Sequence, residues 1–289
     1  MRRIADFEVE FINELANLYD RQEAEELYSL LVENKLQIKR AAYKLRQDEF
    51  LTEEQEQVFK QALAALKTGK PIQYILNEAH FYGLTFEVNP YVLIPRAETE
   101  ELVHYILQQH TSPQALKLID IGTGSGCIPI TLKKHLPAAQ VSSLDISKEA
   151  LLTAQKNATN NDVAIHFINA DILEWEYLFS DQQFDIIVSN PPYITPKEKD
   201  DMHLNVLNFE PHLALFVEEV APLLFYETIA SFALAHLREQ GDLYFEINRY
   251  YGAQTKDMLQ KKGFQEVRLI QDMYGADRII HARKVFRNI

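Results

Sequence analysis

The sequence predicts an α/β domain on a mostly parallel sheet, preceded by a small all-helical domain. Three observations predict it. Apolar residues recur at helix spacing from about residue 4 to residue 67. Short apolar runs then alternate with helical stretches, the pattern of parallel strands covered on both faces. A glycine-rich turn, Gly122 to Gly126, joins one of those runs to a helix.

The elements follow in order. Phe11, Leu15, Leu18 and Tyr19, then Leu27, Leu30 and Leu31, place apolar side chains on one helix face. Thr52-Glu53-Glu54-Gln55 reads as a capping box that opens a helix through Leu66, and Thr68-Gly69-Lys70-Pro71 reads as its stop. Residues 1–71 are therefore expected as a helical bundle. Residues 72–94 are expected as a β-hairpin linker, because His80-Phe81-Tyr82 and Thr85-Phe86-Glu87-Val88 flank Gly83. A helix is expected from Ala97-Glu98-Thr99-Glu100, within a catalytic domain over 95–289. Strands are expected at Leu116 to Ile121, Gln140 to Leu144, Ile165 to Ile168, Phe184 to Ser189, Asp242 to Ile247, Gln265 to Ile270 and Arg278 to Ala282. The last two lie close together with no helix between, so they should pair antiparallel.

Chemistry gathers at the strand ends. In Gly122-Thr123-Gly124-Ser125-Gly126 the glycines let the backbone turn sharply and let a ligand press against main-chain atoms. Asp145, 19 residues beyond Gly126 at the end of the next strand, can accept both ribose hydroxyls of an adenosine-containing cofactor. After the third strand, Asp171 can accept an adenine amino group with Ile172 on the ring, although Asp171 also suits a helix cap. Trp175 is an alternative neighbour for the base. Directly after the fourth strand stands Asn190-Pro191-Pro192-Tyr193. Two prolines make this segment stiff and extended and leave carbonyls free to face a ligand. The Asn190 side-chain oxygen and the Pro191 carbonyl can then accept both hydrogens of a planar NH2 group, with Tyr193 stacked on that plane. Two such acceptors orient a poorly nucleophilic amide nitrogen for attack on a sulfonium methyl and stabilise the charge that develops. Asn190 thus borders cofactor and substrate alike.

Together these residues resemble the class I S-adenosylmethionine-dependent methyltransferases with an NPPY motif, and more narrowly the HemK/PrmC family of release factor glutamine methyltransferases. The resemblance covers most of the chain. It includes Pro71 to Ile75, Phe81 to Leu84, Val92 to Glu100, Asp120 to Gly126, Asp145 to Ser147, Ser189 to Ile194, Phe209 to Pro211 and Asp272 to Arg278. It implies a Rossmann-like sheet of seven strands with the last antiparallel, and S-adenosyl-L-methionine against Gly122, Thr123, Gly124, Ser125 and Gly126. The substrate implied is the glutamine of a Gly-Gly-Gln tripeptide in peptide chain release factors, gripped with help from the helical domain. The sequence departs from the family at Asn77, Ala97 and Asn248, where glycine, proline and glycine are usual. It also lacks a glycine-rich turn near Leu215 to Glu219.

Composition narrows the alternatives. The net charge is −13, with 11 basic and 14 acidic side chains in residues 1–70 and 18 against 28 beyond. Neither part offers the basic stripe that neutralises phosphates, so no direct nucleic-acid binding is expected. That weighs against methylation of an exocyclic base amine, which the same cradle would fit. A glutamine in a ribosomal protein remains a second protein substrate. An inactive binding module is disfavoured by the intact glycine turn, Asp145 and NPPY. The single Cys127 excludes an internal disulfide, and the nine histidines show no metal-ligand spacing. No apolar run is long enough to span a bilayer and the start is not a secretory signal, so a soluble cytoplasmic protein is expected.

Overall fold

The computed structural model describes residues 2–111 and 115–285. They fall into two units, one drawn from Met1–Glu78 with His203–Phe209, the other from Ala79–Met202 with Glu210–Ile289.

Helices Ile4–Leu15, Arg21–Leu36, Arg40–Arg46, Glu53–Lys67 and Ile72–Leu76 make up most of the first unit. Ile4, Phe7, Phe11 and Leu15 recur at spacings of three and four, so the first helix buries all of them on one face. Phe7 and Tyr28 both meet the Phe59 ring edge-on, at 5.6 and 5.9 Å between centroids. The buried Tyr28 hydroxyl donates to the Ile4 carbonyl at 2.7 Å, which satisfies the one polar group of that cluster. Thr52 and Gln55 form the expected capping box.

Two features differ from the sequence expectation. Gly69 ends its helix in the left-handed region (φ 84), yet residues 72–76 form another helix rather than the start of the hairpin. Pro71 caps it and Ile72 and Tyr74 are buried, so this turn belongs with the bundle. Its C-cap is Asn77 at φ 57, a conformation that asparagine tolerates almost as readily as the usual glycine. Helix Leu204–Phe209, far along the chain, also belongs to this unit, where the Asn205 side chain stands beside Gly69.

The second unit opens with a hairpin, β1 (Glu78–Phe81, its first residue in the helical unit) and β2 (Leu84–Glu87). Tyr82 and Gly83 between them both have positive φ, 49° and 76°, as a two-residue hairpin turn requires. Then come β3 (Lys117–Ile121), β4 (Gln140–Asp145), β5 (His166–Asn169), β6 (Phe184–Ser189), β7 (Leu237–Glu246), β8 (Gln265–Gln271) and β9 (Asp277–Arg283). They form one seven-stranded sheet in the order β5-β4-β3-β6-β7-β9-β8. β3 to β7 pair in parallel, and β9 runs antiparallel to both β7 and β8.

Strand residues alternate between two apolar layers. Ile119, Ile187, Leu243 and Phe245 join Ile229 and Phe232 of helix Leu224–His236. Leu118, Ile186, Val188 and Tyr244 join Leu102, Val103 and Ile106 of helix Ala97–Gln109, with Ile130 and Leu132 of helix Cys127–His135. Burial on both faces explains why these strands read as nearly continuous apolar runs. Ala97, where the family usually has proline, is the first residue of its helix, a position that favours proline without requiring it.

The chain steps outward from β3 to β4 and β5, then returns to β6 on the other side of β3. Strand order therefore reverses between β3 and β6, and the crevice beyond their carboxyl ends is where such sheets place ligands. Register aligns those ends: Ile121 pairs with Leu144 and Ser189, and Asp145 with Asn169.

Candidate active site

A cavity of about 450 Å³ opens at this reversal, a size ordinary for small-molecule sites. Its wall includes the turns after β3, β4, β5 and β6, together with residues 91–93, 95–96 and 211–214.

After β3, Gly122, Gly124 and Gly126 all have positive φ, of 79°, 54° and 83°. The N–H groups of Gly122 and Thr123 donate to the Leu144 carbonyl at 2.8 and 3.1 Å, which ties the turn to the end of β4. The Thr123 hydroxyl bonds the Asp120 carboxylate and the Ser143 hydroxyl beneath the turn. Burial pushes the Asp120 carboxyl up to about 7 against the pull of Thr123. The glycines differ in purpose. A Cβ on Gly124 would meet nothing within 4 Å, whereas one on Gly126 would lie 2.8 Å from Ile130 Cδ1 and 3.1 Å from Ala154 Cβ. Gly124 faces the cavity; Gly126, which is absent from its wall, lets two helices approach the turn.

Asp145 ends β4 with both oxygens anchored. Oδ2 accepts the Gly124 N–H and Oδ1 the Ser147 N–H, each at 2.8 Å. Burial raises its pKa while those main-chain bonds lower it. A carboxylate offers about four lone-pair sites, so two remain for ligand hydroxyls. Asp171 takes the capping role, accepting the Leu173 N–H at 2.8 Å, and it also lines the cavity beside Ala170 and Ile172. Trp175 does not reach the wall. It stands edge-on to Phe232 and His236, at 5.8 and 5.5 Å, in the core. Cys127 lines the cavity, but burial pushes its thiol up to about 12, so it is no nucleophile near neutral pH.

Asn190, Pro191 and Pro192 line the cavity beside the end of β3. Tyr193 is not among the residues that line it. Its ring packs on the core and its hydroxyl donates to Glu246 Oε1 at 3.1 Å. Asn248, the third family departure, donates from Nδ2 to the Tyr193 carbonyl at 3.0 Å and to the Glu198 carboxylate at 2.9 Å. A glycine there would offer no such tie. The N–H groups of Tyr193 and Ile194 donate to the Leu215 carbonyl at 3.2 and 2.9 Å.

Sequence reasoning missed several residues. Thr99 lines the cavity, accepts from Asn190 Nδ2 at 3.3 Å and donates to Glu246 Oε2 at 2.6 Å. Glu246 is buried at the end of β7, its pKa raised by desolvation and held back by Thr99, Arg278 and Tyr193. A carboxylate closing the apolar run Leu243-Tyr244-Phe245 was the available signal. Glu210 accepts the Ile94 N–H at 3.2 Å and pairs with Arg96 at 2.5 Å, so it braces that stretch of wall.

Known proteins share this plan. Residues 10–76 match the sequence model of the PrmC N-terminal domain, and residues 99–208 that of the methyltransferase small domain. A release factor glutamine methyltransferase of Flavobacterium psychrophilum is 48% identical over 96% of this chain and 98% of its own length. One of Bacteroides thetaiotaomicron is 42% identical, over 93% and 96%. A solved methyltransferase from Pyrococcus furiosus superposes with a TM-score of 0.53 over 81% of this chain and all of that one; at 16% identity it shows the fold alone.

Proposed function

Because the chain belongs to the release factor glutamine methyltransferase family, we propose that it methylates the side-chain amide nitrogen of the Gly-Gly-Gln glutamine in peptide chain release factors. The observation that carries this reading is that one cavity is lined by Asp145 and Gly124 and also by Asn190 to Pro192.

The residues present fit S-adenosyl-L-methionine. Asp145 retains acceptor capacity for a ribose, Ala170 and Ile172 offer apolar contact with the Asp171 carboxylate between them for an adenine, and Gly122 to Ser125 leave room for close backbone approach. When bound, this cofactor supplies an electrophilic sulfonium methyl. Asn190 Oδ1 and the Pro191 carbonyl accept the two N–H bonds of the substrate amide and hold its nitrogen in line. As the nitrogen gains positive charge, the same two acceptors stabilise it. The N–C bond would form as the S–C bond breaks to leave a neutral thioether, and the surplus proton would pass to water afterwards. Tyr193 keeps the segment in place through Glu246. The helical unit, whose residues 10–76 match the PrmC N-terminal domain, is assigned to gripping the release factor. Among the described residues no helix is long and apolar enough to cross a membrane, and the reaction belongs with translation in the cytoplasm.

The test offers labelled S-adenosylmethionine with release factor, ribosomal protein and nucleic acid in parallel, and locates the methyl by mass spectrometry. One methyl on the Gly-Gly-Gln glutamine is expected. Asn190→Ala should lower turnover by roughly 100-fold with cofactor affinity nearly unchanged. Label only on ribosomal protein or nucleic acid would replace the substrate, and full activity in Asn190→Ala would remove the cradle.

A further inference from the structure

Asparagine at the cavity wall has an ambiguity that decides its chemistry. Its side-chain amide carries a donor end and an acceptor end of nearly the same shape, and only the acceptor suits a substrate N–H. Turned the wrong way, Asn190 would aim N–H at N–H. Something must set the polarity.

A chain of hydrogen bonds behind the wall does so. Glu246 is buried, and each of its oxygens faces a hydroxyl: Oε2 faces Thr99 at 2.6 Å and Oε1 faces Tyr193 at 3.1 Å. An ionised carboxylate only accepts, so both hydroxyls must donate to it. A hydroxyl has one hydrogen. Once Thr99 spends its hydrogen on Glu246, its oxygen can only accept from its other neighbour, the Asn190 side chain 3.3 Å away. Asn190 must therefore turn Nδ2 towards Thr99, which leaves Oδ1 as the end available to the cavity. A neutral glutamate could donate to Thr99 and reverse the whole chain. Burial raises the Glu246 pKa; against it, the two donated hydroxyls and the nearby positive charge of Arg278 hold the ionised form, which is the one the hydrogen-bond geometry at both oxygens accommodates.

We infer that Glu246, acting through Thr99, is the positioning residue that fixes Asn190 as a hydrogen-bond acceptor, and so makes the wall selective for a group presenting N–H. The inference rests on the reading of Asn190 and Pro191 as the amide cradle. Neither Thr99 nor Glu246 is required to exchange a proton with the substrate. The same carboxylate also anchors Tyr193, so one buried charge orients the first residue of the NPPY segment and restrains the last.

The decisive comparison is Thr99→Val against Thr99→Ser in the full-length protein. Valine keeps the shape and removes the hydroxyl; serine restores the hydroxyl and removes a methyl. For each, kcat and KM with release factor, cofactor affinity by calorimetry and the melting temperature are measured. Thr99→Val should lower kcat by roughly 10- to 100-fold, the scale of one mispaired N–H, with cofactor affinity within about twofold. Thr99→Ser should recover kcat to within about threefold of the wild type. Glu246→Gln, whose amide can donate to Thr99 and so release the threonine hydrogen towards Asn190, should match the valine variant in kcat if it folds. Wild-type kcat in Thr99→Val, or a serine variant as slow as the valine one, overturns the inference. If the wild type itself transfers no methyl to glutamine, the cradle reading has failed and this inference falls with it.

Discussion

Two glycines of the same turn differ in what an added methyl group would meet, and that difference can be measured. Gly126 sits at φ 83, where an L-residue costs about 1–2 kcal/mol. Its Cβ would lie 2.8 Å from Ile130 Cδ1, a flexible tip that can move, and 3.1 and 3.4 Å from Cβ and Cα of Ala154, which cannot move without their helix. Overpacking of this kind adds about 1–3 kcal/mol. Gly126→Ala should therefore lose about 3 kcal/mol, a fall in Tm of roughly 6–12 °C for a domain of this size. Gly124→Ala shares only the backbone cost, about 1–2 kcal/mol, because nothing lies within 4 Å of its Cβ. That open space belongs to the cavity, so the added methyl should instead displace ligand and weaken S-adenosylmethionine binding by roughly tenfold or more. Urea titration and calorimetry on both variants read the two effects separately. Equal destabilisation of the pair, or undiminished cofactor affinity in Gly124→Ala, would falsify the division of labour.

Two further outcomes follow from the carboxylates of the site. Asp145→Ala removes charge-assisted hydrogen bonds of about 1.5–3 kcal/mol and should raise the cofactor Kd by roughly 10- to 150-fold; an unchanged Kd by calorimetry would end the ribose assignment. Asp120 has its folded pKa raised to about 7, and its Oδ1 meets no donor among the described residues. Its unfolded value is about 4, so the native state holds the proton more tightly. The stability it contributes is full below about pH 4 and is lost as pH rises towards about 7. Asp120→Asn keeps an acceptor for Thr123 and cannot ionise. Its stability relative to wild type should rise from about pH 5 to about pH 8, on the order of 2–4 kcal/mol at the upper end. A difference in Tm that stays flat across that range contradicts the assignment.

Much of the molecule follows from local sequence. Strand and helix positions were legible because burial on both faces writes continuous apolar runs into β3 and β6, while the first helices show a spacing of three and four. The capping box at Thr52 is equally local. Gly122, Gly124, Asp145 and Asn190 were legible because each stands at a strand end, where the chain must turn and a side chain can face a ligand. Three assignments needed tertiary structure. Pro71 reads as a breaker, yet burial of Ile72 and Tyr74 draws the next turn into the bundle. Trp175 and Tyr193 are aromatic residues near the site, but one packs in the core and the other holds the loop. Spacing alone does not separate a ring on a cavity wall from a ring behind it.

The sequence by itself determined which chemical groups the site contains, because glycine, aspartate and the NPPY segment carry their constraints in a few consecutive residues. The tertiary structure decided how those groups are aimed. Thr99, Asn190 and Glu246 come from three distant stretches, and only the folding of helix Ala97–Gln109 and β7 around the end of β6 brings their hydrogen-bonding atoms within 2.6–3.3 Å. Hydrogen-bond polarity depends on such distances and on exclusion of water, neither of which is a property of any one segment of the chain.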